Sequence, residues 1–218
     1  MKIAIIGGTG PEGSGLGFRW AAAGHEVLIG SRQAEKGEQV AAELLARQPD
    51  FKIGGMDNVT AVAQADIAVL AVPYSAQAPT LESVKQQLAG KLLITVVAPT
   101  GEKKTQAYRL ESGLSAAEEA QQQLGDEVRV VAAFQNIGAH HLLDLDHQMD
   151  CDVLVCGAKA ADKAVAMQLA HEAGMRGVNA GALQNASVVE GLTSLLIFIN
   201  INQKVKDAGI RITGLNNS

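Results

Sequence analysis

A doubly wound α/β fold, built on a parallel sheet with a small helical cap towards its C-terminal end, is predicted by three features of this 218-residue sequence. The chain opens on an unbroken aliphatic run, KIAII at residues 2–6, of the kind that suits a strand covered on both faces. A glycine-rich turn, Gly7-Gly8-Thr9-Gly10-Pro11-Glu12-Gly13, follows at once and leads into a helical stretch. Further short aliphatic runs then alternate with helix-period segments along most of the chain.

Taken in order, the first helix covers residues 14–23 and is closed by Gly24, and residues 26–29 (EVLI) form the second strand. Residues 34–46 read as a polar, alanine-rich helix, 51–54 as a short strand and 59–63 as a short helix. A buried strand is expected at 67–72 (IAVLAV), a helix at 76–88, and strands at 92–97 (LLITVV) and 128–133 (VRVVAA), with a helix at 115–124 between the last two. Beyond Asn136 the character changes. Residues 153–156 can add a strand, 159–173 form an alanine-rich helix, and 188–201 are apolar on most sides of a helix, which calls for cover by the first domain or by a second subunit. Two domains are therefore expected, residues 1–140 and a small C-terminal domain at 141–218 that includes a dimer contact.

At 47% hydrophobic residues the chain can bury a full core, which excludes wholesale disorder. Aromatic residues make up only 3% against 23 glycines, so the core is expected to be small and aliphatic, with helices lying close on strands. A formal net charge of -5 argues against nucleic acid or an acidic membrane surface as partner. Cys151 and Cys156 form no disulfide framework, because five residues apart on an extended segment they point to opposite faces. No signal peptide is apparent, and the best apolar run, residues 192–201, falls short of the roughly 18 residues that span a bilayer. A cytoplasmic protein is the expectation.

The segment Gly8-Thr9-Gly10-Pro11-Glu12-Gly13 satisfies G-x-G-x-x-G, and it sits between a buried strand and a helix, as the Rossmann dinucleotide fingerprint requires. The first glycine permits the tight turn, the second lets backbone N–H groups approach a pyrophosphate, and the third lets helix and strand pack closely. Pro11 suits the first helical turn, where the N–H it lacks has no partner anyway. The end of the second strand decides between cofactors. An NAD site places a carboxylate there for the ribose 2′-hydroxyl, whereas this chain has Gly30-Ser31-Arg32 with Lys36 one turn later. A hydroxyl and two cations fit a 2′-phosphate, so NADP is favoured over NAD. Val72-Pro73-Tyr74 and Val97-Ala98-Pro99 end the next two strands and shape the rim of the crevice, although each proline serves equally well as a structural turn.

Chemistry beyond binding is sparse. Tyr74 and Tyr108 are the only tyrosines, and neither is followed four residues later by lysine, as a short-chain-dehydrogenase acid would be. Neither a G-x-S-x-G elbow nor an H-E-x-x-H metal site occurs. His140 and His141 can face a pocket, though adjacent histidines on an irregular segment are more often partly exposed than catalytic. His147 with the two cysteines matches no standard metal spacing, so no metal is expected. A carbonyl reductase needs a placed acid. Hydride transfer between two redox cofactors needs mainly two rings held at close approach, which is easier to reconcile with this chain.

The residues that carry these features, Ile5-Ile6-Gly7-Gly8-Thr9-Gly10, Gly30-Ser31-Arg32 with Lys36, the strand running into Pro73, CDVLVCG at 151–157 and AGIRITG at 208–214, together resemble the NADPH-dependent F420 reductase family, nearly end to end. The resemblance implies hydride transfer between NADP(H) and the deazaflavin coenzyme F420, and a homodimer with 188–201 a candidate for the contact. It implies that Thr9, Gly10, Pro11 and Glu12 hold the pyrophosphate and that Ser31, Arg32 and Lys36 hold the 2′-phosphate. Val72, Ala76, Ala98 and Ala139 would line the ribose and nicotinamide, Ile137 would press on the nicotinamide ring, and the region near Ala208 would contact the deazaflavin. The chain departs from the family where Gln135 stands in place of a histidine and Gly138 in place of a frequent proline. Gln135 can still hydrogen-bond a ring carbonyl but cannot act as an acid. Two alternatives stay open from sequence: an NADPH-dependent reductase of another acceptor (flavin, quinone, metal chelate or small carbonyl), and a nonenzymatic NADP-binding sensor.

Overall fold

The computed structural model describes residues 1–215. Eight strands form one sheet in the order β3-β2-β1-β4-β5-β6-β7-β8. They are β1 (Lys2–Ile6), β2 (Glu26–Ser31), β3 (Ile53–Asp57), β4 (Ile67–Leu70), β5 (Leu92–Thr95), β6 (Arg129–Ala132), β7 (Asp152–Gly157) and β8 (Arg176–Asn179). The first six pair in parallel, β7 runs antiparallel to β6, and β8 runs parallel to β7. The helices are α1 (Pro11–Ala22), α2 (Ala34–Arg47), α3 (Asn58–Gln64), α4 (Tyr74–Leu88), α5 (Ala116–Leu124), α6 (Ala160–Glu172) and α7 (Ala186–Gln203). None of them is long and apolar enough to cross a membrane.

Alternation along the strands feeds two cores. Ile3 and Ile5 join α1, α2 and α6 on one face, while Ala4 and Ile6 join α3, α4, α5 and α7 on the other. The few aromatics concentrate in the first core, where Trp20 meets the edge of Phe134 at 5.7 Å and its indole N–H donates to the Leu169 carbonyl at 2.9 Å. Close helix-to-strand contact follows from glycine: a Cβ on Gly55 would stand 2.2 Å from the Gly37 carbonyl group, so α2 lies backbone against backbone on β3. Both cysteines are buried free thiols.

Several elements depart from the sequence reading: α1 begins at Pro11 and not at residue 14, and β3 runs from Ile53 to Asp57 and not over 51–54. Strand β8 was not anticipated, because RGVN is short and only one of its four residues is a β-branched aliphatic. With β7 it carries the sheet into the C-terminal third of the chain. Helix α4 begins at Tyr74, two residues before the expected start, and accommodates Pro79 near its N-terminal end.

The chain after α7 is laid along β7. Its Ile210 carbonyl accepts from the Asp152 N–H at 2.7 Å, and its Ile212 N–H donates to the fully buried Asp152 carboxylate at 2.6 Å. Burial alone would push that carboxyl up, but Arg176, paired with it at 2.7 Å, and the Ile212 N–H outweigh burial and hold it below the usual carboxylate range. A second long-range tie comes from Arg19 on α1, which is buried and has no ion-pair partner among the described residues. Its guanidinium donates to the carbonyls of His141, Leu142, Asp144, His147 and Ala173 at 2.6–3.2 Å, staking down the irregular segment that joins β6 to β7.

Candidate active site

Strands β1, β2 and β4 end side by side, and the crevice beyond their carboxyl ends is where an open α/β sheet binds ligands. A cleft of about 890 Å³ lies there, lined by Thr9, Gly10, Ser31, Arg32, Lys36, Val72 and Ala76 among others. Seven of the residues singled out from sequence thus converge on one surface. Pro11 and Glu12 are the first two residues of α1, directly behind Gly10. Ala98 lines a neighbouring hollow of about 400 Å³ together with Pro73, Tyr74, Ser75, Thr100 and Tyr108. Gln135, Ile137 and Ala139 follow β6, and Ala208 lies on the chain after α7. None of these last four lines the cleft, but their two segments meet: a Cβ on Gly138 would stand 3.6 Å from the Asp207 Cα.

The glycine turn divides its labour as the motif requires at Gly10 and Gly13, but the tight turn expected of Gly8 is made at Gly7. A Cβ on Gly13 would be 2.9 Å from the Gly8 Cα, so helix and turn pack too closely for any side chain there. A Cβ on Gly10 would meet nothing within 4 Å, so that position is open towards whatever the cleft holds. Gly7, which lies outside the G-x-G-x-x-G register, carries the left-handed backbone (φ 71°) that turns the chain out of β1.

Asn58 lines the cleft and was missed from sequence. Its Oδ1 accepts the Gly7 N–H at 3.1 Å, tying the start of α3 to the glycine turn. The signal was present in Asp57-Asn58, since Asp57 caps α3 by accepting from the Thr60 N–H at 2.9 Å. That bond, with one from the Thr60 hydroxyl, holds the Asp57 carboxyl below its usual range.

The electrostatics of the rim suit an anion. Arg32 and Lys36 are exposed, and neither has an ion-pair partner among the described residues. The Ser31 hydroxyl, buried at the end of β2, accepts from the Gln33 N–H at 3.3 Å and keeps its own proton to donate. The N-terminal end of α1 adds unpaired N–H groups and a positive dipole end. Glu12 runs against this trend, and burial pushes its carboxyl from 4.5 up to about 8, which leaves it uncharged near neutrality.

The Tyr74 hydroxyl donates to Glu119 at 2.7 Å, and burial together with that carboxylate pushes the phenol up to about 12. Gln135 is buried; its Nε2 donates to the Thr95 carbonyl at 2.9 Å and its backbone carbonyl accepts from Thr193 at 2.7 Å, while its Oε1 has no hydrogen-bond partner among the described residues. The cleft thus brings two cations, a hydroxyl and the start of α1 together on one surface, a lining suited to phosphate groups.

Comparison with known proteins agrees. Residues 2–99 match a family model described as NADP oxidoreductase coenzyme F420-dependent. The F420-dependent NADP reductase of Methanothermobacter marburgensis is 44% identical over 99% of both chains, and that of Methanocaldococcus jannaschii 39% identical over 99% of both. The chain belongs to the F420-dependent NADP reductase family. A crystal structure from Arthrobacter sp. FB24 superposes with a TM-score of 0.83 at 25% identity, covering 98% of this chain and 99% of that one. In this reductase chain the glycine turn and the Ser31-Arg32 corner fall inside the matched segment, while Gln135, Ile137, Ala139 and Ala208 lie beyond it.

Proposed function

We infer that the protein is an F420-dependent NADP reductase that binds NADP(H) in the cleft at the ends of β1, β2 and β4. The carrying observation is the pairing of an open Gly10 at a helix N-terminus with two unpartnered cations and a hydroxyl at the end of β2. Hydride passes between the nicotinamide of NADP(H) and the deazaflavin, so the redox chemistry resides in the two bound rings. The chain's own task is to bind and orient.

In this reading the backbone at Thr9 and Gly10 and the first turn of α1, Pro11 and Glu12 included, face the pyrophosphate. Arg32, Lys36 and Ser31 hold the 2′-phosphate and make the choice of NADP over NAD. Val72, Ala76, Ala98, Ile137 and Ala139 supply an apolar wall for the ribose and nicotinamide. The buried Gln135 Oε1, which lacks a donor, would accept one from a ring amide. The 141–218 portion, with Ala208, forms the acceptor side. The likeness to F420-dependent NADP reductases supports a cofactor-to-cofactor reaction over carbonyl reduction.

The same reading makes the protein a homodimer. Val188, Leu195, Phe198 and Ile201 lie along α7 at helical spacing and are 67%, 50%, 49% and 66% exposed, a stripe that a second copy would cover. Two buried free thiols fit the reducing cytoplasm.

The deciding experiment mixes the purified protein with NADPH and oxidised F420 and follows bleaching of the deazaflavin absorbance, with NADH in a parallel sample. Bleaching with NADPH and little with NADH is expected. Arg32→Ala should raise the KM for NADPH far more than that for NADH. Equal effects on both would remove the 2′-phosphate assignment, and NADPH binding without bleaching would remove the acceptor.

A further inference from the structure

We propose that His141, His147 and Asp207 form a binding site for a divalent transition-metal ion of the zinc class. The three come from separate places in the sequence, two on the segment between β6 and β7 and one on the chain after α7. One ligand atom from each lies within 4.8 Å of the others. The two imidazole rings stack at 3.9 Å with 12° between their planes, and their Nε2 atoms stand 3.9 and 4.0 Å from the same Asp207 oxygen.

Those separations are too long for hydrogen bonds, so the three groups converge without satisfying one another. They are somewhat longer than the spacing of ligands around a bound ion. Metal–ligand bonds of about 2.0–2.2 Å in a tetrahedral site place the ligands roughly 3.3–3.5 Å apart. Closing on that spacing takes ligand-atom shifts of about 1 Å together with rotation of one of the two stacked rings, because a metal lies close to the plane of each imidazole that binds it. Two imidazoles and a carboxylate form a borderline donor set, suited to zinc, cobalt or nickel and not to magnesium or calcium, which take all-oxygen shells. Three protein ligands leave one position for water. All three side chains remain partly solvent-accessible, so an ion has a way in.

The backbone around the site is already fixed. Arg19 Nη2 donates to the carbonyls of both ligand residues, His141 at 3.2 Å and His147 at 3.1 Å, so the loop is held before any metal arrives. Beyond Asp207, the Ala208 N–H donates to Asn200 at 2.9 Å, and the following residues run along β7. Bound metal would therefore staple the tail carrying Ala208 to the segment carrying Ile137 and Ala139. These are the pieces that enclose the acceptor side in the functional reading, but the site itself does not depend on that reading.

The test uses untagged full-length protein stripped with chelator. Cobalt(II) titration should give one equivalent per chain with the intense visible bands of a tetrahedral site, zinc should displace it, and zinc should raise the thermal midpoint. His147→Ala and the exposed Asp207→Asn should each weaken zinc binding at least tenfold, with circular dichroism unchanged. His171→Gln, at the exposed end of α6, should bind zinc as the parent does. Absence of cobalt bands in the parent, or undiminished zinc affinity in both ligand variants, would overturn the proposal. So would loss of binding in His171→Gln, which would mark adventitious surface coordination.

Discussion

Replacing Arg19 by methionine keeps most of the apolar stem and removes the guanidinium, so it isolates what that buried cation does. Five carbonyls lose a donor, and two of them, those of His141 and Asp144, keep a backbone N–H partner from within the loop. The carbonyls of Leu142, His147 and Ala173 are left to find water or remain unpaired. A hydrogen bond from a charged donor contributes about 1.5–3 kcal/mol, with partial compensation when the loop relaxes, so a net loss of about 3–5 kcal/mol is expected. Urea unfolding followed by far-ultraviolet dichroism measures it. Because Arg19 grips only the 141–147 loop and the Ala173 end of α6, the Kd for NADPH should stay within a factor of about two while the KM for the deazaflavin rises. A stability loss below about 1 kcal/mol would falsify the view that this cation organises the loop. An equal change in both ligands would instead mean that its reach extends to the cleft.

The two glycines of the turn should separate binding from folding: Gly10→Val keeps the thermal midpoint and loses NADPH affinity, whereas Gly13→Ala lowers the midpoint because its Cβ meets the Gly8 backbone. Glu12, with its carboxyl pushed up to about 8, is neutral at pH 7 and ionises above pH 8 beside the expected pyrophosphate. NADPH affinity should therefore fall from pH 7 to pH 9 in the parent and stay level in Glu12→Gln, as read by fluorescence titration. Glu190 is buried on α7 and accepts the Ala116 and Ala117 N–H groups at 2.9 and 3.1 Å, yet burial pushes its carboxyl from 4.5 up to about 7. A raised acid favours the folded state at low pH, so its contribution is complete below pH 4.5 and lost as pH rises through 7, a swing of about 3 kcal/mol. Glu190→Gln should flatten that part of the stability profile; an unchanged slope would assign the swing to another group.

Much of this molecule is legible in its sequence because local and global signals coincide. The run KIAII, the glycine turn and the Ser31-Arg32 corner with Lys36 each state their role within a few residues, and Thr9, Gly10, Ser31, Arg32 and Lys36 from those segments line one cleft. Legibility fails where the partner is remote. Asn58 reads as an ordinary helix start until its side chain is seen on Gly7, 51 residues away. Arg19 looks like a basic residue in the last turn of a helix, the usual place for a solvated cation, yet its acceptors lie 122–154 residues downstream. Sequence sets His147 beside the two cysteines, while the fold sets it against His141 and Asp207. Strand β8 exists because β7 offers an edge, which RGVN alone does not announce.

Helix α7 does three jobs on three sides. Thr193 holds the Gln135 carbonyl, Glu190 caps α5, and the stripe from Val188 to Ile201 faces outward. A rod so connected has little freedom to tilt without moving Gln135. If a second copy covers that stripe, as proposed above, the helix would become a mechanical link between two ring pockets, and the two half-reactions would share a coupling free energy. Cooperativity in nicotinamide binding, lost when Thr193 is replaced by valine, is the form that sharing would take.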